Sequence, residues 1–279
     1  MEEYTTHIHA RTGWFDIDLK ELYQYRDLIF LFVKRNYSTR YKQTILGPLW
    51  LIFNPLMTVT LYALVFGNIA GLSTDGTPQF AFYLCSNAIW SYFSACITET
   101  SNTFTANSAI LGKVYFPRLV MPVSSVITGM LDLFIQLLML TGILVYYTVT
   151  GTPIPVSSRL VLVPVLIIQT ALLGLGCGII IAALTTKYRD LVVLVTFGVQ
   201  LWMYASPVVY TTSAISEKLY GVYMLNPMAS IITVWRNAIL GADRIPVNYW
   251  GISWVETLAV LILGIVLFSK IEKTFMDTV

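Results

Sequence analysis

Long apolar runs with almost no charge alternate along this chain with short polar segments that carry most of its basic residues. From Gln79 no charged residue occurs before Glu99, and residues 119–158 hold only Asp132. A helix of about 20 apolar residues spans the hydrocarbon of a bilayer. The runs therefore predict six spans, at about residues 47–69, 79–103, 119–148, 159–184, 191–210 and 249–269. The expected fold is an all-α polytopic membrane protein: an amphipathic region at 1–46, a six-span transmembrane domain at 47–270 and a tail at 271–279. An even number of spans leaves both termini on one side.

The segments around the spans have patterns of their own. Residues 14–42 read as an amphipathic helical region on the cytoplasmic face. Leu19, Leu22, Tyr23 and the apolar residues 28–33 supply membrane contact, and Lys34, Arg35, Arg40 and Lys42 suit anionic headgroups. Trp14 and Phe15 make an aromatic anchor. A plain basic flank that sets topology is the alternative, and the two are compatible. Between the fifth and sixth spans, residues 211–248 place Ile215, Leu219, Tyr223, Ile231, Trp235 and Ile239 at helical spacing among Glu217, Lys218, Arg236 and Asp243. Asn226 and Pro227 break the run. This predicts two short amphipathic helices dipping into the outer leaflet; a loop folded on itself is the alternative.

Composition excludes whole classes. Soluble domains carry about 25% charged residues, whereas this chain has 11%, with 56% hydrophobic residues and a mean hydropathy of +0.70. An ordinary globular protein is ruled out. Charge then orients the spans. Of the 17 Lys and Arg, only Arg159, Lys218, Arg236 and Arg244 fall outside, and the other 13 lie on the side of the N-terminus. Basic residues concentrate in cytoplasmic loops, so both termini are expected in the cytoplasm. The first 27 residues are polar and the run at 28–33 is too short for a signal peptide, so the first span is expected to act as an uncleaved anchor.

Candidate chemistry is sparse. Cys85, Cys96 and Cys177 lie in apolar runs without CxxC spacing and read as small buried thiols. His7 and His9 form a lone HxH, so no metal site is expected. No GxxxxGK[ST] occurs; Gly112 and Lys113 lack the upstream glycine and the following Ser or Thr. The chain is therefore not expected to bind ATP in the P-loop manner. Glu99, Asp132 and Glu256 sit in or near spans, where a charge costs about 2.5–3.5 kcal/mol on insertion scales and turns to protein or water. Glu99 is near the cytoplasmic end, where snorkelling is cheap, and Asp132 is near mid-membrane. With no Lys, Arg or His inside a span, Asp132 is expected in a structural polar pair or facing a cavity, and a proton relay lacks partners. Leu111, Gly112, Lys113, Val114, Tyr115, Phe116, Pro117 and Arg118 form a short basic, aromatic, proline-broken loop. It is either an ordinary positive-inside loop or a rigid knob for a soluble partner to grip. Lys187, Tyr188, Arg189 and Asp190 form a second, tight cytoplasmic turn.

The wording of several segments goes further. The segments are GKVYFPR at 112–118, RYKQTILGPLWLIFNPLM at 40–57, KYRDL at 187–191, ASPVVY at 205–210 and LNPMAS at 225–230. Together they resemble the permease subunits of the ABC type-2 transporter family, in its polysaccharide-export branch, over about residues 26–270. The resemblance implies a permease in the bacterial cytoplasmic membrane, surrounded by lipid and paired with a second copy of itself. Two copies of a separate nucleotide-binding subunit would hold ATP and Mg2+. The substrate would be lipid-linked polysaccharide: O-antigen, capsule or teichoic acid. The loop at 110–118 would be the main ATPase contact and 187–190 a secondary one. Residues 211–248 would form a re-entrant pair, and the chain itself would hold no catalytic site or cofactor. Sugars present apolar C–H faces, so the resemblance also points to Tyr62, Phe66, Trp90, Tyr92, Phe93, Trp202 and Tyr204 as a sliding path; for any single ring, lipid-facing packing is the alternative. A rival is an exporter of a small lipid or drug, with a narrower and more apolar path. An intramembrane transferase would need clustered carboxylates or His at a membrane face, which the sequence lacks. No nucleic-acid partner is expected.

Overall fold

In a computed structural model of the chain, the described residues are 19–42, 44–107, 110, 113–114, 116–151, 158–185 and 190–275. Every regular element among them is helical. Two N-terminal helices, α1 (Leu19–Gln24) and α2 (Arg26–Tyr41), precede α3 (Trp50–Tyr62), which continues through wider π turns over Ala63–Ile69. Then come α4 (Gln79–Ser101), the single turn α5 (Thr103–Ala106), α6 (Val120–Val149) and α7 (Leu162–Thr185). The chain ends with α8 (Leu191–Tyr204), α9 (Glu217–Met224), α10 (Pro227–Leu240) and α11 (Val247–Phe275).

Five of these stretches are long and apolar enough to cross a membrane: Gly47–Ile69, Gln79–Ser101, Val120–Val149, Arg159–Thr185 and Val247–Phe268. The chain is therefore an all-helical polytopic membrane protein. The expected fifth span contains α8, whose 14 residues reach about 21 Å at 1.5 Å per residue, short of the ~30 Å hydrocarbon core.

The least hydrophobic of the five is the one at the centre. α4 has a mean hydropathy of 1.2 against 2.4 for Arg159–Thr185, yet 78% of its apolar window is buried, against 17% for Gly47–Ile69. Polar residues on a spanning helix face protein rather than lipid, and α4 carries Ser86, Asn87, Thr100 and Ser101 inside the bundle. It packs between α6 and α7, and α7 packs in turn on α11.

Glycines make these approaches close. A Cβ on Gly174 would lie 2.5 Å from the Cys96 Cβ, one on Gly178 2.5 Å from the Thr100 Cβ, and one on Gly176 2.9 Å from the Leu261 backbone. Gly264 faces Gly176 in the same way, at 2.8 Å from its carbonyl oxygen. Two glycines one turn apart on α7 thus seat it on α4, and a third seats it on α11. This is the small-residue packing by which helices associate where no hydrophobic gain separates protein from lipid.

Two expectations need correction. The external helices are not an equivalent amphipathic pair. α9 leaves Leu219 and Val222 exposed, but α10 is buried from Met228 to Leu240 among α4, α7 and α11. Arg236, which the span layout places on the external side, is completely buried within the protein. It survives there because Asp243 binds its Nε at 2.7 Å, it donates to the carbonyls of Pro207 and Tyr210, and its guanidinium sits 4.5 Å above the Phe82 ring. The second correction concerns α2. It does not rest on a membrane surface alone: Ile29 and Phe32 are buried where the helix packs on α6, while Phe30 and Leu31 stay exposed for lipid.

Gly176→Ala is expected to lower thermal stability in detergent by about 1–3 kcal/mol, the usual cost of overpacking. Gly142→Ala and Gly198→Ala, where a Cβ meets nothing within 4 Å, should be neutral or slightly stabilising, because Ala is the better helix former by about 1 kcal/mol. Equal melting curves for Gly176→Ala and Gly142→Ala would remove the packing argument.

Candidate functional site

A cavity of about 680 Å³ opens between α3, α4 and α6. Helical spacing builds its back wall: Asn87, Ser91, Ser94 and Thr98 of α4 recur every three or four residues and so share one face. Opposite, α3 contributes Trp50, Asn54, Thr58 and Tyr62, with Pro55 inside the helix. Proline removes an intrahelical hydrogen bond, and the helix widens into π turns within two more turns of it, a distortion that recurs at functional sites. One turn apart on α6, Asp132 and Gln136 complete the lining, and Met203 of α8 reaches the rim, where the Tyr62 hydroxyl donates to its sulfur at 3.2 Å. The buried Asn87 amide donates to Gln136 at 3.3 Å.

Part of the cavity lining is charged. Arg40, expected to face lipid headgroups, instead turns inward from the end of α2. Its Nη1 donates to Asp132 Oδ2 at 2.5 Å, and its Nη2 donates to Glu99. The missing intramembrane cation is thus supplied by a helix outside the spans. Side-chain exposure is 29% for Arg40, 34% for Glu99 and 22% for Asp132, so the cluster borders the cavity rather than lying in a dry core. Asp132 therefore meets both expectations, in a polar pair and at a cavity. Glu256 sits apart on α11, its Oε2 buried without a hydrogen-bond partner.

Arg35 turns inward too. It donates to Asn107 at 2.7 Å and stacks over the Phe32 ring at 4.7 Å. Of the four basic anchors on α2 and just past it, only Lys34 and Lys42 are exposed as expected. Trp14 and Phe15 lie outside the described residues.

The loop at 110–118 is oriented differently from the knob that its composition suggested. Phe116 is 6% exposed and packs against Phe32 of α2, ring centroids 5.7 Å apart. Its ring is an anchor to α2, and the outward surface among the described residues is Lys113 and Val114. Pro117 and Arg118 are half-buried. Leu111, Gly112 and Tyr115, and likewise Lys187, Tyr188 and Arg189, lie outside the described residues; Asp190 is exposed just before α8.

The structure brings two of the seven aromatic candidates, Tyr62 and Trp90, onto the cavity. Phe66 packs edge-on to Tyr62 at 5.9 Å. Tyr92 and Phe93 are buried in the bundle, where a sliding substrate has no access to their faces. Trp202 packs on Phe93 at 5.1 Å and donates its indole N–H to Asn226, and Tyr204 is half-exposed on the outer surface. Trp50, not foreseen, joins the cavity because it begins α3 on the same face as Asn54.

Outside the spans, Tyr223 is hydrogen-bonded to Tyr210 at 3.0 Å. Burial, and then that bond, raises the Tyr223 phenol above its ordinary value, so it stays neutral at physiological pH. Among the described residues no group of His, Cys, Asp or Glu is placed to hold a metal ion. Neutral hydrogen-bonding groups, the rings of Trp50 and Tyr62, the largely buried Trp90 and one ion cluster line the cavity.

Residues 27–240 match the model of the ABC-2 type transporter family. Two O-antigen export system permease proteins RfbA of Klebsiella pneumoniae are each 27% identical over 252 residues, covering 90% of this chain and 94% of their own length. One of Myxococcus xanthus is 30% identical over 231 residues, 82% of this chain and 85% of its own length.

Removing one member of a buried charge cluster costs about 3–5 kcal/mol, less where water has access. Arg40→Gln, which strands two carboxylates, should lower the melting temperature of the purified protein, by roughly 2–3 kcal/mol in stability. Adding Glu99→Gln and Asp132→Asn to it should recover most of the loss. If the single variant melts like the wild type, or the triple is no better, the cluster does not organise this site.

Proposed function

The chain belongs to the ABC-2 type transporter family, and from that premise we propose that it is the membrane-spanning permease subunit of an ATP-driven exporter of lipid-linked polysaccharide. The observation that carries this reading is the lining of the cavity, where Asn, Ser, Thr and Gln side chains alternate with Trp50, Tyr62 and Trp90. Hydroxyls and apolar C–H faces are what such a surface binds weakly and releases readily. A small lipid or drug would call for a narrower and more apolar wall. The names of the relatives favour O-antigen over capsule or teichoic acid as the glycan.

In this proposal the chain lies in the bacterial cytoplasmic membrane with both termini cytoplasmic, α8 and the residues to 210 form a short fifth of six spans, and α9 with α10 make a re-entrant hairpin at the external mouth. Two copies pair, with two copies of a separate nucleotide-binding subunit that holds ATP and Mg2+. That subunit presses on Lys113 and Val114, with residues 187–190 as a second contact. Phe116 carries the displacement to Phe32 of α2, Arg35 couples α2 to Asn107, and Arg40 carries it to Glu99 and Asp132. A ligand shifts an equilibrium only by contacting its two states differently, so these contacts must differ between nucleotide states.

Deleting the chain should abolish surface polysaccharide and build up its lipid-linked precursor in the cytoplasm. The wild-type copy should restore export, while Lys113→Glu with Val114→Asp should be present in the membrane yet export at background level and fail to stimulate the ATPase. Normal surface polysaccharide in the deletion strain would refute the exporter reading; normal export by the double variant would refute the coupling surface.

A further inference from the structure

We propose, on the reading that the cavity is part of the glycan path, that this permease selects uncharged polysaccharides and rejects polyanionic ones, and that the cluster of Arg40, Glu99 and Asp132 sets the selection. Among the described residues, these are the only charged side chains on the cavity lining. Arg40 is the one cation of the set, and both carboxylates are already bonded to it. With both carboxylates ionised the cluster carries a formal charge of −1; with one protonated it is neutral. Neither state leaves positive charge for a phosphate or a uronate.

The neutral part of the lining agrees: a sugar hydroxyl both donates and accepts, whereas a phosphodiester or carboxylate anion offers only acceptors. Above the cluster, Asn87, Ser94 and Gln136 both donate and accept, as hydroxyls do. A cleft with a net charge of one sign raises the local concentration of opposite charge and depletes its own, and like-charge contacts suppress the wrong partner.

The test uses the whole complex, this chain with its nucleotide-binding subunit, in a bacterium without another O-polysaccharide exporter. The host makes one of two lipid-linked glycans with the same repeat, differing only in whether one hexose is replaced by its uronate. Surface glycan and cytoplasmic precursor are measured for each. The neutral polymer should reach the surface at least about tenfold more efficiently than the acidic one, within the range by which charged clefts bias encounter. Thr98→Lys, which places a cation beside Glu99, should narrow that gap; where it fails to accumulate in the membrane, Gln136→Lys supplies the charge from α6. Equal export of both glycans by the wild type would overturn the selection while leaving the exporter reading intact. Export of neither would overturn both. An unchanged gap in the lysine variants would remove the cluster as its cause.

Discussion

A charge held at the edge of hydrocarbon must have a partner, and the arrangement of this protein around α2 follows from that constraint. Glu99 and Asp132 lie on α4 and α6, neither of which carries a basic residue. Their cation comes from α2, which must therefore lie against α6 with Arg40 turned inward. Once α2 is held there, Phe32 meets Phe116 and Arg35 meets Asn107. A helix whose Phe30 and Leu31 stay exposed is thereby joined both to the loop at Phe116 and to the ion cluster on the cavity.

The half of the bundle around α10 obeys the same rule with other residues. Arg236 and Asp243 are buried together, and the guanidinium gathers the backbone after α8 through Pro207 and Tyr210. Trp235 donates to the Cys85 carbonyl at 2.9 Å, tying α10 to α4. Between these two polar anchors the bundle is held by close packing at Gly174, Gly176, Gly178 and Gly264. The cavity lies on the one side of α4 that these helices leave open, which is why the most polar span carries the site.

Much of this was legible in the residues. Apolar run length located the five long helices, and Asp132 announced a polar pair or cavity because its charge is costly in hydrocarbon. Its partner was not legible, since the rule applied looked for a cation within a span and the cation came from an adjoining helix. Two unpaired carboxylates near seven N-terminal basic residues were the available signal. Phe116 was misread as outward because composition says that a loop is aromatic but not which way a ring points. α10 looked amphipathic because Arg236 counted as polar; a buried ion pair has the same letters as an exposed one. The spacing of Gly174 and Gly178 is a small-residue motif readable in the sequence, whereas the contact of Gly176 with Gly264 joins positions far apart in it.

The account rests on Arg40 holding α2 against the cavity floor, and a distance across that contact tests it most directly. Spin labels at Thr39→Cys on α2 and Leu131→Cys on α6, in a background with Cys85, Cys96 and Cys177 replaced, would be measured in nanodiscs without nucleotide. The account predicts one narrow distance distribution with Arg40 present and a broad one, extending to longer distances, in Arg40→Gln. The same narrow distribution in both would mean that α2 is held by its apolar contacts alone, and would contradict the clamp.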